Sequence, residues 1–215
     1  MFYKSILKVV GVVAVVMAVM FVGCGGNKKT SASNQEKSGA VEPTNTFTDT
    51  RDGKTYKTVK VGGKTWMAEN LNFAEEDSKC YENNAENCDK YGRLYNWATA
   101  LKACPAGFHL PSDDEWTALV NYAGGEKKAG HKLKSKAGWD NNGNGTDDYG
   151  WSALPGGVGS SDRNFGSAGN IGGWWSATEY AADNASYRGM VYGGEGVSLY
   201  IGHKTNLLSV RCVED

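Results

Sequence analysis

Four cysteines in the body of the chain constrain its fold most: Cys80, Cys88, Cys104 and Cys212. An apolar run over residues 9–22 is typical of an export signal, and exported proteins form disulfides. Four cysteines allow three pairings. We favour Cys80–Cys88, which closes the short acidic loop "CYENNAENC", and Cys104–Cys212, which links the end of a predicted helix to the last predicted strand. A metal site at the close pair is the alternative, but the chain has no CxxC motif and no histidine near that pair.

Residues 1–46 are predicted to lie outside the folded domain. The apolar run ends in "FVGCGG", which resembles the lipobox of bacterial lipoproteins, with Phe21 where leucine is usual. The resemblance implies that residues 1–23 are a lipoprotein signal peptide and that Cys24 is lipidated; ordinary signal cleavage is the alternative. Residues 24–46 have the polar, glycine-rich composition of a flexible tether. No Asp follows Cys24, so we expect a lipid anchor in the outer membrane or at the cell surface of a Gram-negative bacterium.

Residues 47–215 are long enough to form one domain with its own core. The chain has a net charge of -1 and no basic cluster outside the leader, so we expect no nucleic-acid partner. Its 29 glycines, 7 tryptophans and 11 tyrosines predict loop-rich β structure with aromatic packing.

The first predicted element is a β-hairpin. The segment "DGKTYKTVKVGGKTWMAENL" alternates along its length, and Gly62-Gly63 permits a tight turn. A helix is predicted next, within "YGRLYNWATALKAC", because apolar residues recur there at helical spacing: Leu94, Trp97, Ala98 and Leu101.

A second helix has clear start and stop signals. Ser112 is the predicted N-cap, and Glu115 three residues later completes a capping box. Gly124-Gly125 ends the helix. The stripe predicted to be buried consists of Trp116, Leu119, Val120 and Ala123. Glycine-rich loops follow, and then short strands around "WWSATEY", "SYRGMVYG", "GVSLYIG" and "LLSVRCV".

Several segments together resemble the Fibrobacter succinogenes major paralogous domain, or FISUMP. They are "GKTWMAENLN", "YGRLYNWATA", "CPAGFHLPSDDEW", "GNGTDDYGWSALPGG", "WWSATEY" and "LSVRCV". The likeness covers nearly all of residues 47–213. It implies an exported or lipid-anchored bacterial protein and points to no particular biochemical activity.

The segments "HLPSDDEWTALVNYAGG", "WWSATE" and "SVRC" are also similar to formylglycine-generating and C-type-lectin-like folds. This likeness implies an α+β fold, in which two helices pack on a small twisted antiparallel sheet with long glycine-rich loops. It also supports the Cys104–Cys212 bridge. Formylglycine-generating enzymes need a reactive cysteine pair near the C-terminus, where this chain has only Cys212. Sugar-binding C-type lectins use Glu-Pro-Asn or Gln-Pro-Asp motifs, which do not surround Pro105, Pro111 or Pro155.

The loop "WDNNGNGTDDYGW" has the spacing of the front half of a calcium loop. Five of its side chains could supply oxygen ligands: Asp140, Asn142, Asn144, Asp147 and Asp148. Trp151 stands where an EF-hand has its bidentate Glu, so the loop is not an EF-hand. Calcium is the cation that this donor set fits. The alternative is a surface loop whose Asn and Asp side chains bond to their own backbone.

The last third of the chain is rich in aromatic residues, including Trp174, Tyr192 and Tyr200. Aromatic rings can pack on the CH faces of sugars while neighbouring polar groups bond the hydroxyls; Asp162, Arg163 and Asn164 are further polar candidates. The alternative is that the aromatic residues fill the core. The predicted ligand-binding residues are Trp175, Tyr180, Asp183, Asn184, Tyr187 and Arg188.

Catalytic motifs are not evident. The three histidines are dispersed, and we expect His109 to be a hydrogen-bonded structural residue. The chain has no HExxH, GxSxG or P-loop motif, and we predict no catalytic residue and no enzymatic activity. Our first hypothesis is a surface recognition module that binds carbohydrate. The alternatives are an envelope module that binds another protein and, third, a carboxylate-based hydrolase.

Overall fold

The structure is a computed structural model that describes residues 45–162 and 164–215. The predicted signal peptide, the lipidated Cys24 and nearly all of the tether lie outside the described residues, as does Arg163. Asn45 and Thr46, which the sequence assigned to the tether, lie in the first strand.

Twelve strands are present in the described residues, named in chain order. They are β1 (Asn45–Thr48), β2 (Thr55–Val61), β3 (Lys64–Met67), β4 (Leu94–Tyr95), β5 (Phe108–His109), β6 (Gly156–Gly159), β7 (Phe165–Ala168), β8 (Ile171–Ala181), β9 (Asn184–Val191), β10 (Ser198–His203), β11 (Leu208–Ser209) and β12 (Val213–Glu214).

Four α-helices and one short 3₁₀ turn complete the described part of the chain. The helices are α1 (Ala85–Tyr91), α2 (Trp97–Ala103), α3 (Asp113–Tyr122) and α4 (Ala129–Leu133), and the 3₁₀ turn is Tyr81–Asn83. None of the helices in these residues has the length and apolar character of a membrane span.

The strands form two sheets. The first has the order β1-β2-β3-β12-β5, with all pairs antiparallel. Its β2–β3 hairpin confirms the sequence prediction, and Gly62 and Gly63 make the turn with φ of 63° and 86°. The second sheet has seven strands, with the order β10-β9-β8-β11-β4; β6 pairs with β8 and β7 with β6. Two of its pairs, β11–β8 and β6–β8, are parallel.

The α+β class is confirmed, but the predicted single small antiparallel sheet is wrong. Four of the strands are only two residues long, and each joins its sheet through partners distant in the chain. Strands this short carry no readable alternation, so the sequence could not show that the chain builds two sheets.

The prediction for α3 is confirmed. Ser112 Oγ accepts from Glu115 N at 3.3 Å, and Ser112 N donates to a Glu115 carboxylate oxygen at 2.9 Å, which together form the capping box. The helix ends at Tyr122, just before Gly124 and Gly125, which have φ of 108° and 86°. The whole predicted stripe is buried: Trp116, Leu119, Val120 and Ala123.

The stripe predicted for α2 is wrong. Leu94 lies in β4, before the helix, and Leu101 is 45% exposed. The reason is the helix start: Asn96 is the N-cap, and its Oδ1 accepts from Thr99 N at 2.9 Å. The face that α2 buries consists of Thr99, Ala100 and Ala103.

Strand β8 separates two parts of the core. Trp174 and Trp175 are adjacent, so their side chains point to opposite faces of the strand, and both are 0% exposed. Trp174 packs with Trp116 and Trp151, at ring-centroid distances of 6.5 and 5.5 Å. Trp175 donates from Nε1 to the carbonyl oxygen of Tyr95 at 2.8 Å. Both faces of β8 are therefore covered.

A buried arginine joins segments that are far apart in sequence. Arg211 is 0% exposed, and its guanidinium stacks on the Trp151 ring at 4.0 Å. It donates to Asn70 Oδ1 from Nη2 at 2.7 Å and from Nε at 3.1 Å. Trp174 Nε1 donates to the same oxygen at 2.8 Å. The segments "ENLN", "GW", "WW" and "SVRC" thus meet in the core as one hydrogen-bonded cluster.

Both predicted disulfides are present. Cys80 and Cys88 are bonded across a sequence separation of 8, and Cys104 and Cys212 across a separation of 108.

Candidate functional site

A groove on the seven-stranded sheet is the candidate site. It consists of two adjoining cavities of about 450 and 390 Å³ that share Ser160. Gly159 and Leu207 exchange two backbone hydrogen bonds, of 2.9 and 2.8 Å, and lie between the cavities. The larger cavity is lined by polar groups that include Asp77, Lys79, Asn96, Lys204 and Thr205. The smaller is lined by Val158, Asn164, Phe165, Tyr187, Asn206 and Leu208.

The smaller cavity adjoins a pair of stacked tyrosines. Tyr187 of β9 and Tyr200 of β10 are direct cross-strand partners, with ring centroids 5.3 Å apart and an interplanar angle of 21°. Tyr200 is 41% exposed, and Tyr187 is half-buried. Burial raises the pKa of Tyr187, with a further contribution from Tyr200, so its phenol stays uncharged at neutral pH.

Two glycines let these rings lie flat on the sheet. A Cβ at Gly189 would come within 2.8 Å of Tyr200 Cε2, and a Cβ at Gly202 within 3.1 Å of Tyr187 Cε1. Each ring therefore occupies the space that a side chain on the neighbouring strand would otherwise fill. We call the two tyrosines, with Gly189 and Gly202, the tyrosine platform.

Amide side chains stand beside the platform. Asn206 makes no side-chain hydrogen bond to any residue that the structure describes, and it is half-buried in the wall of the smaller cavity. Asn164 is exposed, and its Nδ2 donates to Asp162 Oδ2 at 2.6 Å; its Oδ1 bonds to none of the residues that the structure describes. Such amides can both donate to and accept from a hydroxyl group.

Charges in the larger cavity are mixed. Lys204 Nζ lies 2.5 Å from Glu179 Oε1 and donates to the carbonyl oxygen of Ala182 at 2.7 Å. It also lies 4.6 Å from the centroid of the Trp97 ring. Lys79 and Asp77 bring opposite charges to the same cavity. The larger cavity therefore carries charges of both signs.

Of the predicted ligand-binding residues, the structure places Tyr187 in the groove. Trp175 and Arg188 are corrections, because they are 0% and 3% exposed and cannot contact a ligand at the surface. Arg188 lies under α3, where its Nη2 donates to Thr117 Oγ1 at 2.8 Å. The remaining predicted residues lie outside the groove, at or beside the β8–β9 turn: Tyr180, Asp183 and Asn184.

Other residues of the groove were missed by sequence reasoning. Asn96, Ser160 and Asn206 come from three loops far apart in the chain, and no local motif marks them. Two signals did point to this region: the aromatic richness of the last third, which pointed to Tyr187 and Tyr200, and the polar candidate Asn164, which lines the smaller cavity.

The glycine-rich loop uses its polar side chains for bonds within the protein. Asn144 Oδ1 accepts from Trp139 N at 3.0 Å, and Asp147 accepts from Ser152 N at 2.8 Å and from Ser152 Oγ at 2.6 Å. Asp140 Oδ2 accepts from Asn170 Nδ2 at 3.0 Å.

The other two predicted ligands in this loop, Asn142 and Asp148, are exposed. Among residues 45–162 and 164–215, no three His, Cys, Asp or Glu residues are grouped so as to hold a metal. These contacts support the alternative of a loop bonded to itself, and calcium binding stays a prediction.

A cation is nevertheless present beside this loop, in the form of Lys134. The residue is 2% exposed, and its Nζ donates to four backbone carbonyl oxygens. Val191 and Gly194 accept at 2.6 and 2.7 Å, and Gly143 and Tyr192 at 3.3 Å. Burial lowers the pKa of Lys134 to about 8, with Glu195 opposing the shift, so the ammonium is still charged at neutral pH.

The Fibrobacter succinogenes major domain family matches residues 59–214 of the sequence. The chain therefore belongs to this family, and the resemblance drawn from its motifs is confirmed. No curated protein and no solved structure shows a significant match to the chain.

Proposed function

We propose that this protein is an exported, lipid-anchored surface protein whose family domain binds a carbohydrate in the groove. The tyrosine platform is the observation that carries the proposal. A sugar ring has a flat CH face that can pack on an exposed aromatic ring, and its hydroxyls need donors and acceptors at its edge. Tyr187, which lines the smaller cavity, and Tyr200, which stacks on it, offer the rings. Asn206 and Asn164 offer the amides.

The charge of the groove narrows the ligand class. Lys204 is paired with Glu179, and Asp77 offsets Lys79, so no strong field favours a polyanion. A groove formed by two adjoining cavities also suits an extended ligand better than a single small molecule. We therefore favour a neutral oligosaccharide or polysaccharide chain.

The C-type-lectin-like arrangement is part of the same proposal. The bridge from the end of α2 to the segment before β12 supports it, because it matches the bridge expected from that resemblance. The lipid on Cys24 would hold the domain at the membrane, and the tether would give it a reach of roughly 25 Å.

An envelope protein partner is the second candidate. Strand β10 is at the edge of its sheet, and its side chains Leu199 and Ile201 are 46% and 42% exposed. Exposed apolar residues on an edge strand are a common feature of protein contacts.

Binding to a panel of neutral and acidic cell-wall polysaccharides tests the proposal. Each polysaccharide is assayed with calcium and again with a chelator, and released reducing ends are measured to detect hydrolysis. We expect Tyr200→Ala and Asn206→Ala each to weaken binding about tenfold, in line with the loss of one ring or bonding contact of about 1.4 kcal/mol.

Tyr180→Ala is the matched control, because Tyr180 is 67% exposed and belongs neither to the groove nor to the tyrosine platform. Binding that Tyr200→Ala and Asn206→Ala leave intact would place the glycan elsewhere. Absence of glycan binding, together with recovery of one stoichiometric envelope protein that Leu199→Ser abolishes, would favour the second candidate.

A further inference from the structure

The Cys80–Cys88 disulfide lies against a cation. Arg93 Nη1 is 3.7 Å from Cys80 Sγ and 3.6 Å from Cys88 Sγ. Ser78 fixes the guanidinium in place, because its Oγ accepts from Arg93 Nε at 2.8 Å and its carbonyl oxygen accepts from Nη2 at 3.2 Å. A positive charge beside a sulfur lowers the pKa of the thiol and stabilises the thiolate that leaves when a disulfide opens.

The loop that this disulfide closes holds an unfavourable backbone. Glu82 and Asn83 lie between the two cysteines with φ of 54° and 55°, in the left-handed region; asparagine tolerates this region, but glutamate rarely occupies it. Opening the disulfide would let Glu82 leave that region. The oxidised loop is therefore constrained, and reduction is favoured to that extent.

The second disulfide has no cation at its sulfurs in the described part of the chain. Cys212 is 0% exposed, and among the described residues no arginine or lysine donates to a sulfur of the Cys104–Cys212 pair. The molecule thus contains one disulfide beside a guanidinium and one buried in the core.

We propose that Cys80–Cys88 is a site of thiol–disulfide exchange with a dithiol reductant. One thiolate of the reductant attacks Cys80 Sγ, which belongs to the more exposed cysteine, and forms a mixed disulfide. The S–S bond breaks, and Cys88 leaves as a thiolate beside Arg93. The second thiol of the reductant then displaces Cys80. The reductant becomes a disulfide, and the protein gains two electrons and two protons as two thiols.

This exchange would act on a wall of the groove, a consequence that rests on the proposed function. Tyr81, next to Cys80, packs on Phe165 with ring centroids 5.5 Å apart, and Phe165 lines the smaller cavity. On the other side of Cys80, Lys79 lines the larger cavity and pairs with Leu94 through its backbone. Reduction of Cys80–Cys88 frees the loop between these two contacts. We therefore expect reduction to loosen the wall of the smaller cavity at Phe165 and the wall of the larger cavity at Lys79.

A titration with dithiothreitol tests the exchange site. The full-length protein is equilibrated at a series of dithiothreitol concentrations, and each sample is quenched with acid. The free thiols are then alkylated, and peptide mass spectrometry follows each disulfide separately. We expect Cys80–Cys88 to open at a lower concentration than Cys104–Cys212. At a titration pH of about 9, above the pKa of a free thiol, Arg93→Gln should raise the concentration needed for Cys80–Cys88 several-fold and at most about tenfold, because an adjacent opposite charge shifts a pKa by about one unit or more. Arg93→Lys should restore most of the wild-type value.

Lys79→Gln is the matched control, because it removes a cation one residue from Cys80 that makes no contact with the sulfurs. Joint opening of both disulfides in the wild type would overturn the proposal, as would an Arg93→Gln midpoint equal to that of the wild type. Both outcomes are independent of any glycan.

The consequence for the groove has its own measurement. Hydrogen exchange at residues 157–166 should rise when Cys80–Cys88 alone is reduced, and polysaccharide binding should fall. Suppose that hydrogen exchange rises on reduction but the oxidised protein binds no polysaccharide. This result would support the thiol–disulfide exchange site and reject the proposed function. Unchanged hydrogen exchange at these residues would reject the coupling between the Cys80–Cys88 disulfide and the groove.

Discussion

At the scale of single residues, His109 is held between two carboxylates, as expected of a hydrogen-bonded structural residue. Its Nδ1 lies 2.7 Å from Asp215 Oδ1, and its Nε2 lies 2.9 Å from Glu115 Oε1. Burial lowers the pKa of His109, but the bonds to Asp215 and Glu115 outweigh it, and the net shift is upward. Hydrogen bonds from Lys64, Ser112 and His109 likewise outweigh burial and lower the pKa of Glu115 to about 2.

The raised pKa of His109 predicts a stability that falls with rising pH. In the folded protein His109 binds its proton more tightly than in the unfolded chain, whose histidine pKa is about 6.5. Its contribution to the free energy of unfolding is therefore complete below about pH 6.5 and is lost as the pH rises through the folded pKa. The ring is 39% exposed, so we expect a loss below about 1 kcal/mol.

Urea unfolding at about pH 5.5 and about pH 8.5 measures this loss. His109→Gln should shrink the difference between the two pH values, whereas His131→Gln, at an exposed position, should leave it unchanged. A His109→Gln variant with the pH dependence of the wild type would show that the histidine does not couple folding to proton binding.

At the scale of elements, the sequence predicted most accurately those helices and strands that are defined by signals in neighbouring residues. The capping box and the apolar stripe of α3 are both present as predicted, because a helix start needs only neighbouring residues. Strand β8 was harder: the sequence left open whether the aromatic residues of the last third fill the core or bind a ligand. Both Trp174 and Trp175 are buried, because structure covers both faces of the strand.

The groove could not be predicted from the sequence for a related reason. Asp77, Asn96, Ser160 and Asn206 are brought together by two-residue strands and by the Gly159–Leu207 bridge, none of which has a period to read. Aromatic richness identified the right part of the chain, but it did not distinguish Tyr187 and Tyr200 from the buried Trp175.

The glycine-rich loop contacts a buried cation of the protein itself, Lys134. Its Gly143 carbonyl oxygen faces Lys134 Nζ at 3.3 Å, together with carbonyls from residues 191–194. The ammonium thus joins the loop to the turn after β9. We predict that Lys134→Met lowers the free energy of unfolding by about 2 kcal/mol, because it removes the ammonium that donates to these four carbonyl oxygens in a partly buried site.

Lys136→Met is the control for this variant, since Lys136 is exposed, and it should change stability by less than about 0.5 kcal/mol. Unfolding is measured with calcium and with a chelator. If Lys134 supplies the loop's cation, the two conditions give the same wild-type stability. Stabilisation of the wild type by calcium would instead support the metal site predicted at Asp140 and its neighbours.

At the scale of the whole molecule, the last residues of the chain connect the two sheets. Strand β11 lies between β8 and β4 in the seven-stranded sheet, and β12 lies between β3 and β5 in the other. Cys212 stands between these two strands and is bonded to Cys104 at the end of α2. The short pair Cys80–Cys88, in contrast, closes only a local loop.

The two disulfides should therefore differ in their contribution to stability. In the chain-entropy treatment, sequence separations of 108 and 8 correspond to about 5 and about 2.5 kcal/mol, as upper values. We predict that Cys104→Ala/Cys212→Ala lowers the free energy of unfolding by about 3–5 kcal/mol, and that Cys80→Ala/Cys88→Ala lowers it by about 1–2.5 kcal/mol. Guanidinium chloride unfolding of the two double variants, compared with the wild type, measures both losses.

The Cys104–Cys212 pair also fixes the segment that both sheets share, so its removal should free both sheets together rather than one. Equal losses for the two pairs would mean that this segment is held by its sheet pairing and by Arg211, with the Cys104–Cys212 bond adding little.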